Sequence, residues 1–223
     1  MAKQIFIGLM REGSTDQLFL KSIIERTFEE IRFECNSDID IFEIEEIKTK
    51  TGTNFIEKVL EASSIGYNNF GMMILCIHSD ADNKTLEDTY RNRINPALEI
   101  LATKNDSEFC KIVVTLVPIQ ETEAWMLADK ELLKSEIGTD KSDIELQIHR
   151  QPESIANPKE CIETAIRIAR EGYTKKRRKD LTISELYLPI GQALNLDKLE
   201  VLSSYQDFKK NIKEAFRKLN LLD

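Results

Sequence analysis

Histidine and paired cysteines are scarce in this sequence, and their scarcity limits the metal sites that it can build. The chain of 223 residues has two histidines, His78 and His149, and four cysteines, none of which forms a C-x-x-C pair. Zinc sites built from thiolates or imidazoles usually show such residues at short spacing. We therefore expect a cytoplasmic protein with reduced thiols and no zinc site of cysteine or histidine.

Long apolar segments are also missing. No stretch approaches the roughly 18–20 apolar residues that a membrane helix needs. The N-terminal segment MAKQIFIGLMREG lacks the apolar region and the cleavage site of a signal peptide. We expect no membrane-spanning segment and no membrane partner. The loop pattern G-x-x-x-x-G-K-[ST] is absent too, which argues against a nucleoside triphosphatase.

The charges that are present are mostly acidic. Asp and Glu number 39 against 31 Lys and Arg, which gives a formal net charge of −8. An acidic protein binds nucleic acid only where basic residues cluster or a cation offsets the acids. One dense basic run contains the candidate nucleic-acid-binding residues Lys175, Lys176, Arg177, Arg178 and Lys179. This run is either a solvated loop or a patch that contacts phosphates without regard to sequence.

Short apolar runs alternate with helical patterns along the first part of the chain. The predicted strands are QIFIGLM (4–10), IDIFEIEEI (39–47), FGMMILCIH (70–78) and KIVVTLVPI (111–119). The second run mixes apolar and acidic residues, as an edge strand does, whereas the last two are continuous apolar runs typical of central strands. This alternation predicts an α/β fold with a Rossmann-like, mostly parallel four-stranded sheet and helices on both faces.

Helical patterns fill the segments between the strands and most of the chain after them. The predicted helices cover residues 15–30, 54–64, 83–104 with a kink at Pro96, 121–133, 157–172 and 203–220. Ser14 and Gln17 have the spacing of a capping box, and so do Asn157 and Glu160. We expect an α/β domain over residues 1–134, with residues 135–223 forming a helical extension packed on the same domain.

Acidic residues follow three of the predicted strands. They are Glu12 after the first strand, Asp80 and Asp82 after the third, and Glu121 and Glu123 after the fourth. Parallel strands bring these ends to one edge of the sheet, where α/β proteins bind ligands. Asp80 and Asp82 point the same way in extended chain and repel each other unless a cation lies between them. Hard oxygen ligands open to water suit Mg²⁺ or Mn²⁺.

Each of these acids also has an ordinary structural explanation. Asp80 or Asp82 is able to cap the helix that follows, and Glu121 to favour the dipole of the next helix. Among the neighbouring residues, we expect His78 to pack or hydrogen-bond at the sheet edge rather than to bind metal. We expect Trp125 to be buried in the core rather than to stack on a base.

At these acids the sequence resembles a known family. The segments REGSTD (11–16) and HSDAD (78–82) resemble the Toprim domain of topoisomerases, bacterial primases, ribosomal RNA maturases and overcoming-lysogenization-defect nucleases. The segments VPIQETEAWMLAD (117–129) and NPKE (157–160) are similar to one branch of it. That branch comprises small bacterial Toprim-like proteins of uncharacterised function that are related to defence-associated nucleases.

The resemblance implies roles for the individual acids. Glu12 is expected to act as a general acid/base or as a metal ligand, while Asp80 and Asp82 hold Mg²⁺. Glu123, in an E-x-W element with Trp125, is expected to be a further catalytic and metal-binding acid, and Glu121 is a weaker metal candidate.

These roles imply a Toprim-fold phosphodiesterase dependent on Mg²⁺ or Mn²⁺, a nuclease acting on DNA or RNA in phage defence. Hydrolysis of a phosphodiester needs its oxygens neutralised and a proton transferred, which metal ions and carboxylates provide. One alternative is a non-enzymatic Toprim-like module that binds nucleic acid or a partner ATPase. Another is a phosphotransfer enzyme that acts on a small nucleotide. The sequence leaves the oligomeric state open.

Overall fold

A computed structural model of the chain describes residues 2–11, 17–50, 54–82, 84–174 and 180–223. Glu12, Ser14 and the basic residues 175–179 lie outside the described residues. Their predicted roles, including the first capping box, therefore stay predictions.

The strands form a parallel sheet, as the sequence predicted. They are β1 (Lys3–Ile5), β2 (Ile7–Met10), β3 (Ile39–Ile41), β4 (Glu45–Glu46), β5 (Ile74–His78) and β6 (Val113–Leu116). Four of them pair in the order β4-β2-β5-β6, and β1 pairs with β3 beside them. All of these pairings are parallel. Since β1 and β2 follow each other along one extended segment, as do β3 and β4, the predicted strands 4–10 and 39–47 are each present in two pieces.

The strand order places a topological switch point between β2 and β5. After β2 the chain pairs its next strand on one side of β2, whereas β5 and then β6 follow on the other side. In such sheets the connections after the two central strands diverge and leave a crevice at their carboxyl ends. The segments that follow β2 and β5 therefore border the natural ligand-binding position of this fold.

Helices surround the sheet and fill the C-terminal half. They are α1 (Gln17–Arg32), α2 (Phe55–Phe70), α3 (Leu86–Thr89), α4 (Asn95–Ala102), α5 (Glu123–Met126), α6 (Lys130–Ile137), α7 (Pro158–Ala169), α8 (Tyr187–Ala193) and α9 (Ser203–Lys218). Short 3-10 turns occupy Pro152–Ser154, Ile183–Glu185 and Leu196–Lys198. Among the described residues, no helix combines the length and the apolar character needed to cross a bilayer.

The central strand β5 shows why helices cover both faces of the sheet. All five of its side chains are buried. Ile74 and Cys76 join a core cluster that also contains residues of α1 and of the C-terminal helices. Leu75 and Ile77 join a second cluster with residues of α2 and α4. Alternate side chains of a strand point to opposite faces, so each face has its own layer of helices.

Several of the predicted elements have wrong boundaries. The helix expected over 54–64 continues to Phe70 and ends at Gly71, which has a φ of 62°. The strand expected from residue 70 therefore begins only at Ile74. The helix expected over 121–133 is instead split into α5 and α6, because Asp129 caps a new helix with a side-chain bond to the Leu132 nitrogen.

Pro96 disturbs its helix, as predicted, and the structure shows how. Proline has no N–H to donate, and its ring crowds the preceding turn. The chain forms a π-helical turn over Tyr90–Ile94, in which the Asn95 nitrogen bonds to the Tyr90 carbonyl. The α-helix then resumes with Pro96 in its first turn.

The predicted cap of α7 is only partly correct. The helix begins at Pro158, as expected, but Asn157 makes no side-chain cap bond to the backbone. Its amide nitrogen donates instead to Glu160 Oε2 at 3.2 Å. The helix ends at Ala169 with Arg170 as its cap, before the predicted stop at Gly172.

The C-terminal helices pack directly on the sheet and on α1. Trp125 is fully buried, as predicted, and makes an edge contact with Tyr205 of α9 at 5.4 Å between ring centroids. Helix α8 approaches α1 closely at Gly191, where an added Cβ atom would lie 2.8 Å from the Phe19 Cα atom. One core cluster thus contains residues from both parts of the chain. The division at residue 134 stays a prediction.

Candidate functional site

The segments that follow β5 and β6 run side by side at the carboxyl edge of the sheet. The Ala81 nitrogen donates to the Pro118 carbonyl at 3.0 Å, and the Asp82 nitrogen donates to the Gln120 carbonyl at 2.9 Å. Asp82 and Gln120 form an isolated antiparallel bridge. These bonds bring the predicted acids of the two segments together beside the switch point.

Asp80 is held through one of its two carboxylate oxygens. Its Oδ1 accepts from the Thr122 nitrogen at 3.0 Å and lies 3.4 Å from Thr122 Oγ1. His78 Nε2 lies 3.2 Å from the same oxygen. Within the described part of the chain, no hydrogen bond reaches Oδ2. The side chain is 20% exposed, and the contacts at Oδ1 fix its orientation.

His78 supports this arrangement from inside the sheet. Its side chain is fully buried, and Nε2 also lies 3.2 Å from Thr122 Oγ1. An ionised carboxylate only accepts hydrogen bonds, so the bond to Asp80 requires the proton on Nε2. His78 thus hydrogen-bonds at the sheet edge, as predicted.

Glu121 shares the electrostatic neighbourhood of the two aspartates. Burial raises the pKa of Glu121 above its ordinary value, and the charges of Asp80 and Asp82 raise it further. Lys159 acts to lower the pKa of Glu121. Its main-chain nitrogen donates to Glu121 Oε2 at 3.4 Å, and its positive charge lies nearby. The structure therefore brings together three of the predicted acids, Asp80, Asp82 and Glu121.

The bridge beside these acids has an unusual backbone. Asp82 has a φ of 52° and Gln120 a φ of 67°, so both lie in the left-handed region. Residues other than glycine adopt this region rarely and at a cost, and such residues cluster at functional sites. Gln120 Oε1 is also buried without a hydrogen-bond partner among the described residues. Both residues of the bridge therefore have a backbone conformation that residues other than glycine rarely adopt.

Glu123 is placed differently from the other acids. It is 4% exposed and lies in the first turn of α5. The Tyr187 hydroxyl of α8 donates to its Oε1. The residue of this segment that hydrogen-bonds Asp80 is Thr122, which the sequence analysis did not single out. The role of Glu123 in catalysis or metal binding stays a prediction.

Asp80, Asp82 and Glu121 carry the hard oxygen atoms that divalent cations prefer as ligands. Outside the gaps in the described chain, no group of three or more His, Cys, Asp and Glu side chains is arranged to hold a metal ion. Magnesium commonly binds through one or two carboxylates, with water and substrate phosphate as its other ligands. The open oxygen of Asp80 and the neighbouring acids fit that mode of binding.

Comparison with known proteins places these residues within one family match. A family model described as a domain of unknown function (DUF4276) matches residues 11–193. No curated protein and no solved structure matches the chain. The matched range contains every predicted acid of the site and ends before α9.

Proposed function

This chain belongs to the DUF4276 family, and we propose that it is a divalent-metal-dependent phosphodiesterase, a nuclease that acts on DNA or RNA. The observation that carries this proposal is Asp80. One of its oxygens is fixed by Thr122 and His78, while the other is available. Such a carboxylate, at the switch point of a parallel sheet, is suited to hold Mg²⁺ or Mn²⁺.

The charges around Asp80 support a cation at this edge. Burial raises the pKa of Glu121, and Asp80 and Asp82 both lie close enough for their charges to raise it further. Carboxylates that repel one another are stabilised by a cation between them. A bound Mg²⁺ or Mn²⁺ supplies charge neutralisation for the phosphate oxygens of a substrate.

The residues of the chain divide the remaining work. Asp80 and Asp82 hold the cation, and Thr122 and His78 keep Asp80 in one orientation. Glu121 is suited to proton transfer, because a carboxylate with a raised pKa exchanges its proton closer to neutral pH. We assign to Glu12 the same kind of role, taking a proton from water or returning one to the leaving group.

The Toprim resemblance supports the same proposal. The motifs that carry it, HSDAD and VPIQETEAWMLAD, contain Asp80, Asp82 and Glu121, which the described fold brings together. We propose on this basis a cytoplasmic nuclease of phage defence that uses residues 175–179 to contact nucleic-acid phosphates.

The test is cleavage of plasmid DNA, single-stranded DNA and RNA by the purified chain with Mg²⁺ or Mn²⁺. Asp80→Asn keeps an acceptor for Thr122 but removes the charge, so it should abolish cleavage. Asp106→Asn is the matched control, because the Asp106 side chain is 91% exposed and pairs with Lys111 away from the site. The proposal is wrong if the wild type cuts nothing, or if Asp80→Asn cuts as well as the wild type.

A second candidate is a non-catalytic module that binds nucleic acid or a partner ATPase. The observation that favours it is that no three-ligand metal group is formed by the residues that the structure describes. Calorimetric titration with Mg²⁺ and Mn²⁺ separates the two proposals in part. Nucleic-acid binding without cleavage, or cleavage only after a partner is added, favours the module.

A further inference from the structure

A groove lined by both apolar and polar residues lies between α7 and the chain that precedes it. It has a volume of about 530 Å³ and is lined by Gln147, Arg150, Asn157, Glu160, Cys161 and Thr164, among others. Ligand pockets in proteins commonly measure about 300–1,000 Å³. The groove is therefore large enough for a mononucleotide-sized ligand.

The groove and the acid site share the first turn of α7. Asn157 and Glu160 line the groove in this turn. Between them in the sequence, the main-chain nitrogen of Lys159 donates to Glu121 Oε2 at 3.4 Å. A strand with its scissile phosphate at the acids therefore has an adjacent nucleotide within reach of the groove.

Arg150 gives the groove a positive charge that favours an anionic ligand. Arg150 is exposed and makes no ion pair or hydrogen bond within the described parts of the chain. Burial raises the pKa of the Cys161 thiol, and the positive charges of Arg150 and Lys130 act to lower it. Both charges therefore lie close to the groove. A guanidinium with open donors is well matched to a phosphate group.

The groove also offers polar groups of a different kind. The Asn157 amide donates to Glu160 at 3.2 Å, which fixes that carboxylate. A held carboxylate accepts hydrogen bonds from sugar hydroxyls or base amino groups, but repels phosphate. Gln147 in the wall has a φ of 63°, and its carbonyl accepts from Cys161 Sγ at 3.5 Å, which ties the loop to α7.

We propose that this groove binds one nucleotide of a single-stranded nucleic acid, with Arg150 at its phosphate and Asn157 and Glu160 at its sugar or base. The inference rests on the proposed function, since it assigns a substrate subsite to the same acid site. A groove of this size holds a single nucleotide and excludes a duplex.

Cys161 provides a test that does not depend on cleavage. It is partly exposed in the groove, whereas Cys76 and Cys110 are buried, and Cys35→Ser removes the other partly exposed thiol. The rate of Cys161 alkylation by N-ethylmaleimide is measured in EDTA, with and without oligo-dT or oligo-U. Both oligonucleotides should slow the reaction, and the stronger of the two identifies DNA or RNA as the ligand.

Two variants make the test specific. Arg150→Glu should weaken protection by roughly tenfold in oligonucleotide concentration, the effect of losing one charged hydrogen bond. Arg167→Glu makes the same charge change in the last turn of α7, outside the groove. In this variant the oligonucleotide should protect Cys161 as well as it does in the wild type. Thr164→Trp fills the groove without changing its charge and should also weaken oligonucleotide binding, measured by fluorescence anisotropy.

The outcomes separate this inference from the proposed function. Protection that is absent, or equal in Arg150→Glu and Arg167→Glu, overturns the groove assignment even if the enzyme cleaves. Protection that depends on Arg150 in a chain that never cleaves supports the groove and overturns the hydrolysis proposal. Circular dichroism melting of each variant confirms that it is folded at the temperature of the assay.

Discussion

The main-chain nitrogen of Asp82 donates to the main-chain oxygen of Gln120 at 2.9 Å, and both residues have left-handed backbone conformations. This pair joins the segment after β5 to the segment after β6. It therefore holds Asp82 and Glu121, which belong to different segments, at one position on the sheet edge.

Gln120→Gly should stabilise the protein relative to Gln120→Ala. Both variants remove the buried amide oxygen, but only glycine adopts the left-handed region without steric cost. We expect a difference of about 1 kcal/mol in the free energy of unfolding in favour of glycine, measured by urea titration. A result in which alanine is as stable as glycine would show that the backbone at Gln120 is not strained.

Thr122→Val should weaken the binding of Mn²⁺ without removing any carboxylate. Valine keeps the shape and the main-chain nitrogen but lacks the Oγ1 atom that lies near His78 and Asp80. Loss of an orienting partner commonly costs about 10–100-fold in metal affinity, which calorimetry measures directly. Thr103→Val is the matched control, because Thr103 is exposed and its hydroxyl donates to the Ile100 carbonyl. Unchanged affinity in Thr122→Val would contradict the orienting role.

Glu121 should give stability a distinct pH dependence. Its pKa is raised in the folded chain, first by burial and then by Asp80 and Asp82, so the folded state binds this proton more tightly than the unfolded state. Its contribution to stability is therefore complete below the ordinary glutamate pKa and is lost as the pH rises through the raised pKa. Urea titrations over this pH range should show the loss in the wild type and not in Glu121→Gln.

Asp80→Asn should lower the pKa of Glu121, because one of the negative charges that raise it is removed. Carboxyl carbon NMR shifts, followed through a pH titration, measure this change at Glu121 itself. Asp106→Asn should leave the titration unchanged. An identical Glu121 pKa in the wild type and in Asp80→Asn would show that the two carboxylates do not interact.

Tyr187→Phe should destabilise the fold by about 2 kcal/mol, because it removes a hydrogen bond to a buried carboxylate. A double-mutant cycle with Glu123→Gln, measured by thermal unfolding, should show coupling between the two residues. If Glu123 instead binds the cation, Glu123→Gln will lower Mn²⁺ affinity while Tyr187→Phe has little effect on unfolding.

Gly191→Ala should destabilise the contact between α8 and α1. The added Cβ atom would lie 2.8 Å from Phe19 Cα and 2.9 Å from the Phe19 carbonyl oxygen, so one helix must move. Overpacking of this kind typically costs about 1–3 kcal/mol, measurable by urea titration. Gly172→Ala is the control, since its Cβ atom meets no atom within 4 Å.

The sheet was predictable because its central strands have a simple signature. The residues of β5 are buried on both faces, which requires a continuous apolar run and leaves no alternation to misinterpret. The strand was nevertheless predicted to begin too early, at residue 70. Phe70 is the last residue of α2, and Gly71 ends that helix. The glycine after a helical pattern was the available sign of this boundary.

The directions of the site residues were harder to predict. Asp80 and Asp82 were expected at the sheet edge from the strand that precedes them, and the structure places them there. Glu123 was placed in the site because of its E-x-W element and its position after the fourth strand, and its role stays a prediction. A turn begins at Glu121, whose carbonyl accepts from the Ala124 nitrogen. At about 100° per residue, side chains two positions apart in such a turn diverge. Thr122 hydrogen-bonds to Asp80, and Lys159 hydrogen-bonds to Glu121. Both bonds depend on tertiary contacts that no local sequence pattern encodes.

The last helix has a consequence for any use of this family as a portable unit. Helix α9 lies beyond the matched range, yet Asn211 donates to the Thr115 carbonyl of β6 at 3.1 Å, and Tyr205 contacts Trp125. A fragment that ends at residue 193 would leave the outer strand β6 and the indole of Trp125 facing water. Such bare strand edges invite self-association, so a transplanted domain should keep its final helix to avoid aggregation.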